Sequence, residues 1–234
     1  MEISRARIDR LGEAMKSGEL NDVDQSVFSY LRSQWAELGN EISKWLILEF
    51  GKDDFGVSLR LKNFATIRAK LLRTTLRLSS LRDVVGARVV VNEGLSLQND
   101  SVLRSVALFG NYAIKIIDRR EFPSFGYRAV HVEVRQGLYL GEIQIRTPLQ
   151  HEWARSMESL ARLIGRDVRY GGEPVVDTYS PVVRSLLLNS YRNLVELGRR
   201  IELSEVGVLN NTAELFQGLI TINSLVIEIE SKVR

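Results

Sequence analysis

The apolar positions of the chain change period several times, and each change marks an element. Val27, Leu31, Trp35, Leu38, Ile42, Trp45 and Leu46 recur at steps of three and four, one apolar stripe on a helix. Asn21 to Asp24 supplies its capping residues, and Ile3 to Ser17 before it reads as a short basic helix. Both tryptophans of the stripe serve packing. Phe64, Ile67 and Leu71 set a second helical stripe from Asn63 to about Thr75, and Leu95 to Phe109 reads as a helix ending at Gly110. Pro148 to Leu163 turns Trp153, Met157 and Leu160 inward. Ser180-Pro181 caps a long helix to about Leu203. Asn211 opens another to Lys232, with Leu215, Leu219, Ile222, Val226 and Ile229 on one face.

Between these helices the period drops to two. Val57 to Leu61 and Ala113 to Ile117 are short and extended, and Val84 to Val91 is a valine-rich buried strand interrupted by Gly86. Tyr127 to Val134 puts Tyr127, Ala129, His131 and Glu133 on one face. The turn signal Gln136-Gly137 joins it to Tyr139–Arg146 as a hairpin. In that second strand Glu142, Gln144 and Arg146 line one face, backed by Gly141, Ile143 and Ile145. Matched faces would bring Tyr127 and His131 to the surface of Glu142 and Gln144. Thr147-Pro148 ends the strand and caps the next helix. From the residues alone the polar row is either a reaction surface or the solvated face of an antiparallel strand.

The elements predict an α+β fold: a mixed, mostly antiparallel sheet of about five strands flanked by helices, with N- and C-terminal helical extensions. The connection 165–180, with Gly171-Gly172 and Pro174, marks a boundary. The chain divides into N-terminal helices (1–50), a core (51–164) and a C-terminal helical extension (165–234). The two last helices either cover the sheet or build an oligomer contact.

Charge changes this picture at one segment. The 234 residues carry a formal net charge of only +3, yet from 57 to 88 Arg60, Lys62, Arg68, Lys70, Arg73, Arg77, Arg82 and Arg88 surround the single acidic residue Asp83. Such a concentration fits a polyphosphate ligand, or a solvated basic helix face. With no cysteine there is neither a disulfide nor a thiolate metal site, and the two histidines, His131 and His151, exclude a histidine-rich centre. A metal would be a hard cation on carboxylates. Arg5, Arg7, Asp9 and Arg10 rule out a signal peptide at the start, and no segment approaches the roughly 20 apolar residues of a membrane span. The expected location is cytoplasmic.

Four motifs in order carry a resemblance. Ser58-Leu-Arg-Leu-Lys62, Leu81-Arg-Asp-Val-Val-Gly-Ala-Arg88, Gly126-Tyr-Arg-Ala-Val-His131 and Glu142-Ile-Gln-Ile-Arg-Thr147, followed by Trp153-Ala154, resemble the RelA/SpoT-type nucleotide pyrophosphokinases, the (p)ppGpp or alarmone synthetases. The likeness covers about 57–160, and the flanking helices resemble the small single-domain synthetases, which are often tetramers. It implies a nucleotidyltransferase-like core that moves the β,γ-pyrophosphoryl group of ATP to the 3′-hydroxyl of GDP or GTP. The family's separate hydrolase domain needs a His-Asp metal site that two histidines in other motifs cannot supply.

The resemblance also assigns roles. Asp83 and Glu142 would hold Mg²⁺, and Glu142 would assist deprotonation of the attacking hydroxyl. Arg60 and Arg88 would stack on adenine, while Lys62, Lys70 and Arg73 would neutralise ATP phosphates. Tyr127 would stack on the acceptor base, and His131 and Gln144 would bind its phosphate or ribose. Arg146 and Thr147 would position the strand and cap the helix.

Two departures fall on the acceptor side. Pro123, Ser124 and Phe125 stand where relatives often have lysine or asparagine before Gly-Tyr, with Arg119 and Arg120 as replacement charge. Arg155, Ser156 and Met157 precede Glu158 where many relatives have a glutamate and a histidine. The acceptor therefore stays open between a guanosine nucleotide, an adenosine nucleotide and a tRNA 3′ end, the last two being acceptors of toxic relatives. A catalytically silent regulator that binds nucleotide or RNA is the reading outside enzymology.

Overall fold

The computed structural model describes residues 3–51, 55–121 and 123–233. In chain order the elements are α1 (Arg5–Ser17), α2 (Asp22–Phe50), β1 (Gly56–Leu61), α3 (Phe64–Arg73), β2 (Val85–Val90), α4 (Leu95–Phe109), β3 (Ala113–Asp118), β4 (Val130–Gln136), β5 (Tyr139–Arg146), α5 (Pro148–Ile164), α6 (Pro181–Glu205) and α7 (Thr212–Val233). Helix starts follow local chemistry. The Asn21 side chain accepts from the Asp24 N–H at 2.9 Å while the Asp24 carboxylate accepts from the Asn21 N–H at 3.4 Å, a reciprocal cap on α2.

The strands form one sheet in the order β1-β2-β5-β4-β3. The Lys62 N–H donates to the Val84 carbonyl at 2.9 Å, so β1 and β2 run antiparallel. Arg119 N–H to Ala129 carbonyl, also 2.9 Å, does the same for β3 and β4. A two-residue turn with Gly137 at φ 58° joins β4 to β5. β2 and β5 run parallel: Gly141 approaches the Val85 carbonyl at one end, and Val91 N–H donates to the Arg146 carbonyl at the other. The expected fold class therefore stands, a mixed and mostly antiparallel five-stranded sheet.

Two compact units interleave along the chain. The first comprises 1–89, 101–117 and 131–145 and holds the sheet apart from the ends of its strands. In it α2 lies on one sheet face. Gly39 leaves room for Leu59 and Val85, and Gly141 for Ile42 and Val134. Alternation then sends Arg60, Arg88, His131, Glu142 and Gln144 to the other face.

The second unit comprises 90–100, 118–130 and 146–234. Here α5, α6 and α7 bury Trp153, Met157, Leu160, Leu187, Leu194 and Leu219 in one core. The units thus cut across the linear segments expected from the sequence, because α5 shares its core with α6 and α7. α7 also corrects the expectation about membrane spans: its 22 residues are long and apolar enough to cross a bilayer by length and composition. It is apolar on two sides. Leu215, Leu219, Ile222, Val226 and Ile229 are buried, while Ile220 and Ile227 are exposed.

Candidate active site

On the polar face of the first unit, Asp83 sits in the loop before β2. The Lys62–Val84 backbone bond draws Lys62 alongside it. Lys70 arrives from the last turn of α3, a helix capped where the Asn63 side chain accepts from the Thr66 N–H at 2.9 Å. Asp83 Oδ2 lies 3.2 Å from Lys62 Nζ and 2.7 Å from Lys70 Nζ. Burial pushes the Asp83 carboxyl up, but the two ammonium groups outweigh it and hold the group below the usual carboxylate range. Among the described residues, its buried Oδ1 has no hydrogen-bond partner.

Glu142 is held from both sides by its own hairpin. His131 Nδ1 lies 3.1 Å from Oε2, and Gln144 Nε2 donates to Oε1 at 2.7 Å. Burial raises this carboxyl too, and the bonds from His131 and Gln144 return it below its ordinary value. A further upward push comes from the charge of Asp83, so the two carboxylates lie within electrostatic reach. Arg60 is exposed and Arg88 half-buried on the same face, and exposed Arg73 ends α3. No cluster of three or more acidic or histidine ligands occurs among the described residues. Among the described residues a cation would therefore have this carboxylate pair plus ligand oxygens, the arrangement Mg²⁺ commonly uses beside phosphates. The orphaned Asp83 oxygen fits that demand.

One partner escaped the sequence reading. Glu133, 2% exposed, accepts from Arg82 Nη1 at 2.7 Å and ties the residue before Asp83 to β4. Its strand parity with His131 was the available signal.

Tyr127 belongs to the second unit and is not in a strand, which corrects the expected strand over 127–134. Ser124 and Tyr127 bracket a two-residue turn with Phe125 at φ 50° and Gly126 at φ 88°. The Tyr127 N–H donates to the Ser124 carbonyl at 2.9 Å, and the ladder of β4 starts only at Val130. The parity argument from Tyr127 therefore fails. The ring is placed by packing on the core of α5, α6 and α7 and by Arg146. Its Nη2 donates to the phenolic oxygen at 2.9 Å, and its Cζ stands 5.1 Å from the ring centroid. Thr147 caps α5 as expected, accepting from the Gln150 N–H at 3.2 Å. Trp153 is core, its indole N–H donating to the Leu194 carbonyl at 2.7 Å. Arg120, the candidate replacement charge, is bound to Asp118 (2.9 Å) and Asn99 (2.7 Å), whereas Arg119 is exposed.

Residues 59–162 match the family model described as a region found in RelA / SpoT proteins. The chain carries a RelA/SpoT region. Uncharacterized proteins of Mycobacterium tuberculosis and Mycobacterium bovis are 34% identical to it over 173 residues, 73% of this chain. The chain spans 63% of the length of those relatives. Among solved structures, a GTP pyrophosphokinase family protein from Streptococcus pneumoniae shares the fold, with TM-score 0.57 and 19% identity over 82% of this chain and 97% of that one. Small alarmone synthetase 1 from Bacillus subtilis does so with TM-score 0.51 and 20% identity over 76% and 95%. All twelve residues given roles by the resemblance fall inside the RelA/SpoT region, whereas α6 and α7 lie outside it.

Proposed function

We propose that the chain transfers the β,γ-pyrophosphoryl group of ATP to the 3′-hydroxyl of GDP or GTP, releasing AMP. The observation that carries this reading is the Asp83 carboxylate, bonded by Lys62 and Lys70 through one oxygen, with its other oxygen buried and unsatisfied among the described residues, in electrostatic reach of Glu142. Glu142 is ionised at neutral pH and takes the proton of the acceptor hydroxyl, with His131 and Gln144 fixing its orientation. The freed oxygen bonds to the β-phosphorus of ATP as the bond from that phosphorus to the α–β bridging oxygen breaks, and AMP leaves. Lys62, Lys70 and Arg73 neutralise charge on the transferring phosphates, and Arg60 and Arg88 hold the adenine. Asp83 and Glu142 would hold Mg²⁺, which would supply further charge neutralisation there. Tyr127 stacks on the acceptor base, its other face already taken by the Arg146 guanidinium.

One observation favours a second acceptor class. Phe125, an exposed aromatic held at positive φ next to Gly126, replaces the expected polar residue beside Tyr127. That exchange suits a stacked adenosine nucleotide or tRNA 3′ end better than a polar contact to guanine. The test offers ATP labelled at the γ-phosphate, with Mg²⁺, to GDP, GTP, excess ATP or tRNA in turn, and follows AMP release against label in the acceptor. Equal amounts of AMP and labelled guanosine nucleotide are expected. Label in adenosine nucleotide or tRNA alone selects the second class. Nucleotide binding without AMP release for any acceptor refutes both.

A further inference from the structure

One face of α6 touches the segments that carry the acceptor-side residues. Its Leu194 carbonyl accepts the Trp153 indole N–H. One turn on, the Gly198 carbonyl accepts from Arg128 Nη1 at 3.2 Å. A Cβ on Gly198 would stand 3.2 Å from the Gly126 Cα, so helix and acceptor turn pass with no side chain between them. On the next turn the Glu202 carboxylate takes the Arg128 guanidinium. At the end of the helix Glu205 accepts from the Thr147 hydroxyl and from Gln150 Nε2, the latter at 2.9 Å.

The placement of these contacts matters more than their number. Arg128 directly follows Tyr127, and Thr147 directly follows Arg146. Tyr127 and Arg146 bond each other. Two carboxylates three residues apart on a helix share a face, so Glu202 and Glu205 grip both chain segments one residue away from that pair. Arg128 is 6% exposed. Removal of Glu202 would leave the Arg128 charge buried against the Gly198 carbonyl without its carboxylate, which forces the turn to move or the charge to find water.

We propose that Glu202 and Glu205 are positioning residues for the acceptor nucleotide, fixing the Tyr127–Arg146 pair through Arg128 and Thr147. This rests on the reading of Tyr127 as the platform for the acceptor base. It assigns a role to a helix outside the RelA/SpoT region, beyond covering or assembly.

The test uses full-length Glu202→Gln and Glu205→Gln, which keep side-chain volume. Initial rates are measured against acceptor at saturating ATP and against ATP at saturating acceptor, with equilibrium binding of GDP by calorimetry alongside. The expected result is an acceptor KM and a GDP Kd raised about tenfold or more, as displaced contact residues produce. The ATP KM should stay within about twofold, and Glu202→Asp should recover most of the loss. Unchanged GDP affinity at an unchanged folded fraction would overturn the proposal, and so would equal rises for both substrates. Should the glutamine variants fold poorly, Arg128→Lys approaches the same contact from the other side, and the same selective loss is required of it. A wild-type chain that binds GDP but releases no AMP would refute the transfer reading and leave the calorimetry to judge this one. A chain that binds no guanosine nucleotide would end both.

Discussion

The surroundings of Asp83 and those of Tyr127 solve the burial of charge in opposite ways. Around Asp83, a carboxylate is drawn under two lysines and yet, among the described residues, keeps one buried oxygen unsatisfied, while exposed Arg60 and Arg73 add more positive charge from nearby elements. Around Tyr127 charged and polar groups bond one another within the protein: Arg146 on the phenol, Glu202 on Arg128, Glu205 on Thr147 and Gln150. A site left incomplete is one that binding can stabilise, because an unpaired buried polar group costs about 1–3 kcal/mol until something meets it. A site whose groups hold one another acts through its shape. On the proposed reading the first region neutralises phosphate charge and the second holds a base, and the two should fail differently.

The largest effect is expected in the first. Glu142→Gln or Asp83→Asn removes an anion while preserving shape, and AMP release should fall by at least about a hundredfold to a thousandfold, with the circular-dichroism spectrum unchanged. Either variant retaining substantial turnover would erase the distinction between the regions. Tyr127→Ala should act next most strongly and on one substrate. A stacked base contributes about 1–3 kcal/mol, so the acceptor KM should rise about tenfold to a hundredfold while the ATP KM holds. Equal rises for both would deny the ring its platform role.

What the sequence disclosed follows the same divide. β5 and α4 were legible to the residue, because their periodicity runs unbroken to a turn or a glycine. The cluster of Lys62, Lys70 and Asp83 was legible as one anion among cations, although which oxygen stays unsatisfied needed coordinates. Tyr127 was placed three residues too deep in a strand. The alternation of side chains begins at Tyr127, whereas the backbone ladder that defines the strand begins only at Val130. Glu202 and Glu205 were invisible. They read as ordinary helix-surface carboxylates, and their partners lie 74 and 58 residues away.

A smaller, structural contrast comes from two glycines. In the second region Gly126 has φ 88°, and a Cβ there would stand 2.8 Å from Cζ2 of Trp153, a buried ring pinned by its own hydrogen bond. Gly126→Ala should cost about 2 kcal/mol, from left-handed strain plus a clash that cannot relax. In the first region a Cβ on Gly141 would meet the Ile42 Cδ1 at 2.9 Å and the Val134 Cγ2 at 3.2 Å, both ends of aliphatic side chains. Gly141→Ala should cost about 1 kcal/mol, since those ends can shift. Urea midpoints with unchanged slopes give both values, and the reverse ranking would mean that the acceptor turn is the softer of the two.

The smallest effect is one of sign. Burial raises the Asp83 carboxyl but Lys62 and Lys70 more than offset it, so its folded-state pKa lies below its unfolded one. Its contribution to stability is present above the unfolded value and is lost as pH falls through the folded one. For Glu205 burial wins over the bonds from Thr147 and Gln150, and its pKa is raised. Its contribution is full below the unfolded value and is lost as pH rises through the folded one. Unfolding measured from about pH 3 to pH 7 in chelator, a range that spans the ordinary carboxyl values, should therefore give difference curves of opposite slope. Relative to wild type, Asp83→Asn should gain as the solution is acidified, because wild type is losing what the asparagine never had. Glu205→Gln should fall behind over the same range, because protonation relieves wild type of a burial cost that the amide does not carry. Slopes of the same sign would mean that the two carboxylates are compensated alike, and the contrast between the two sites would not hold.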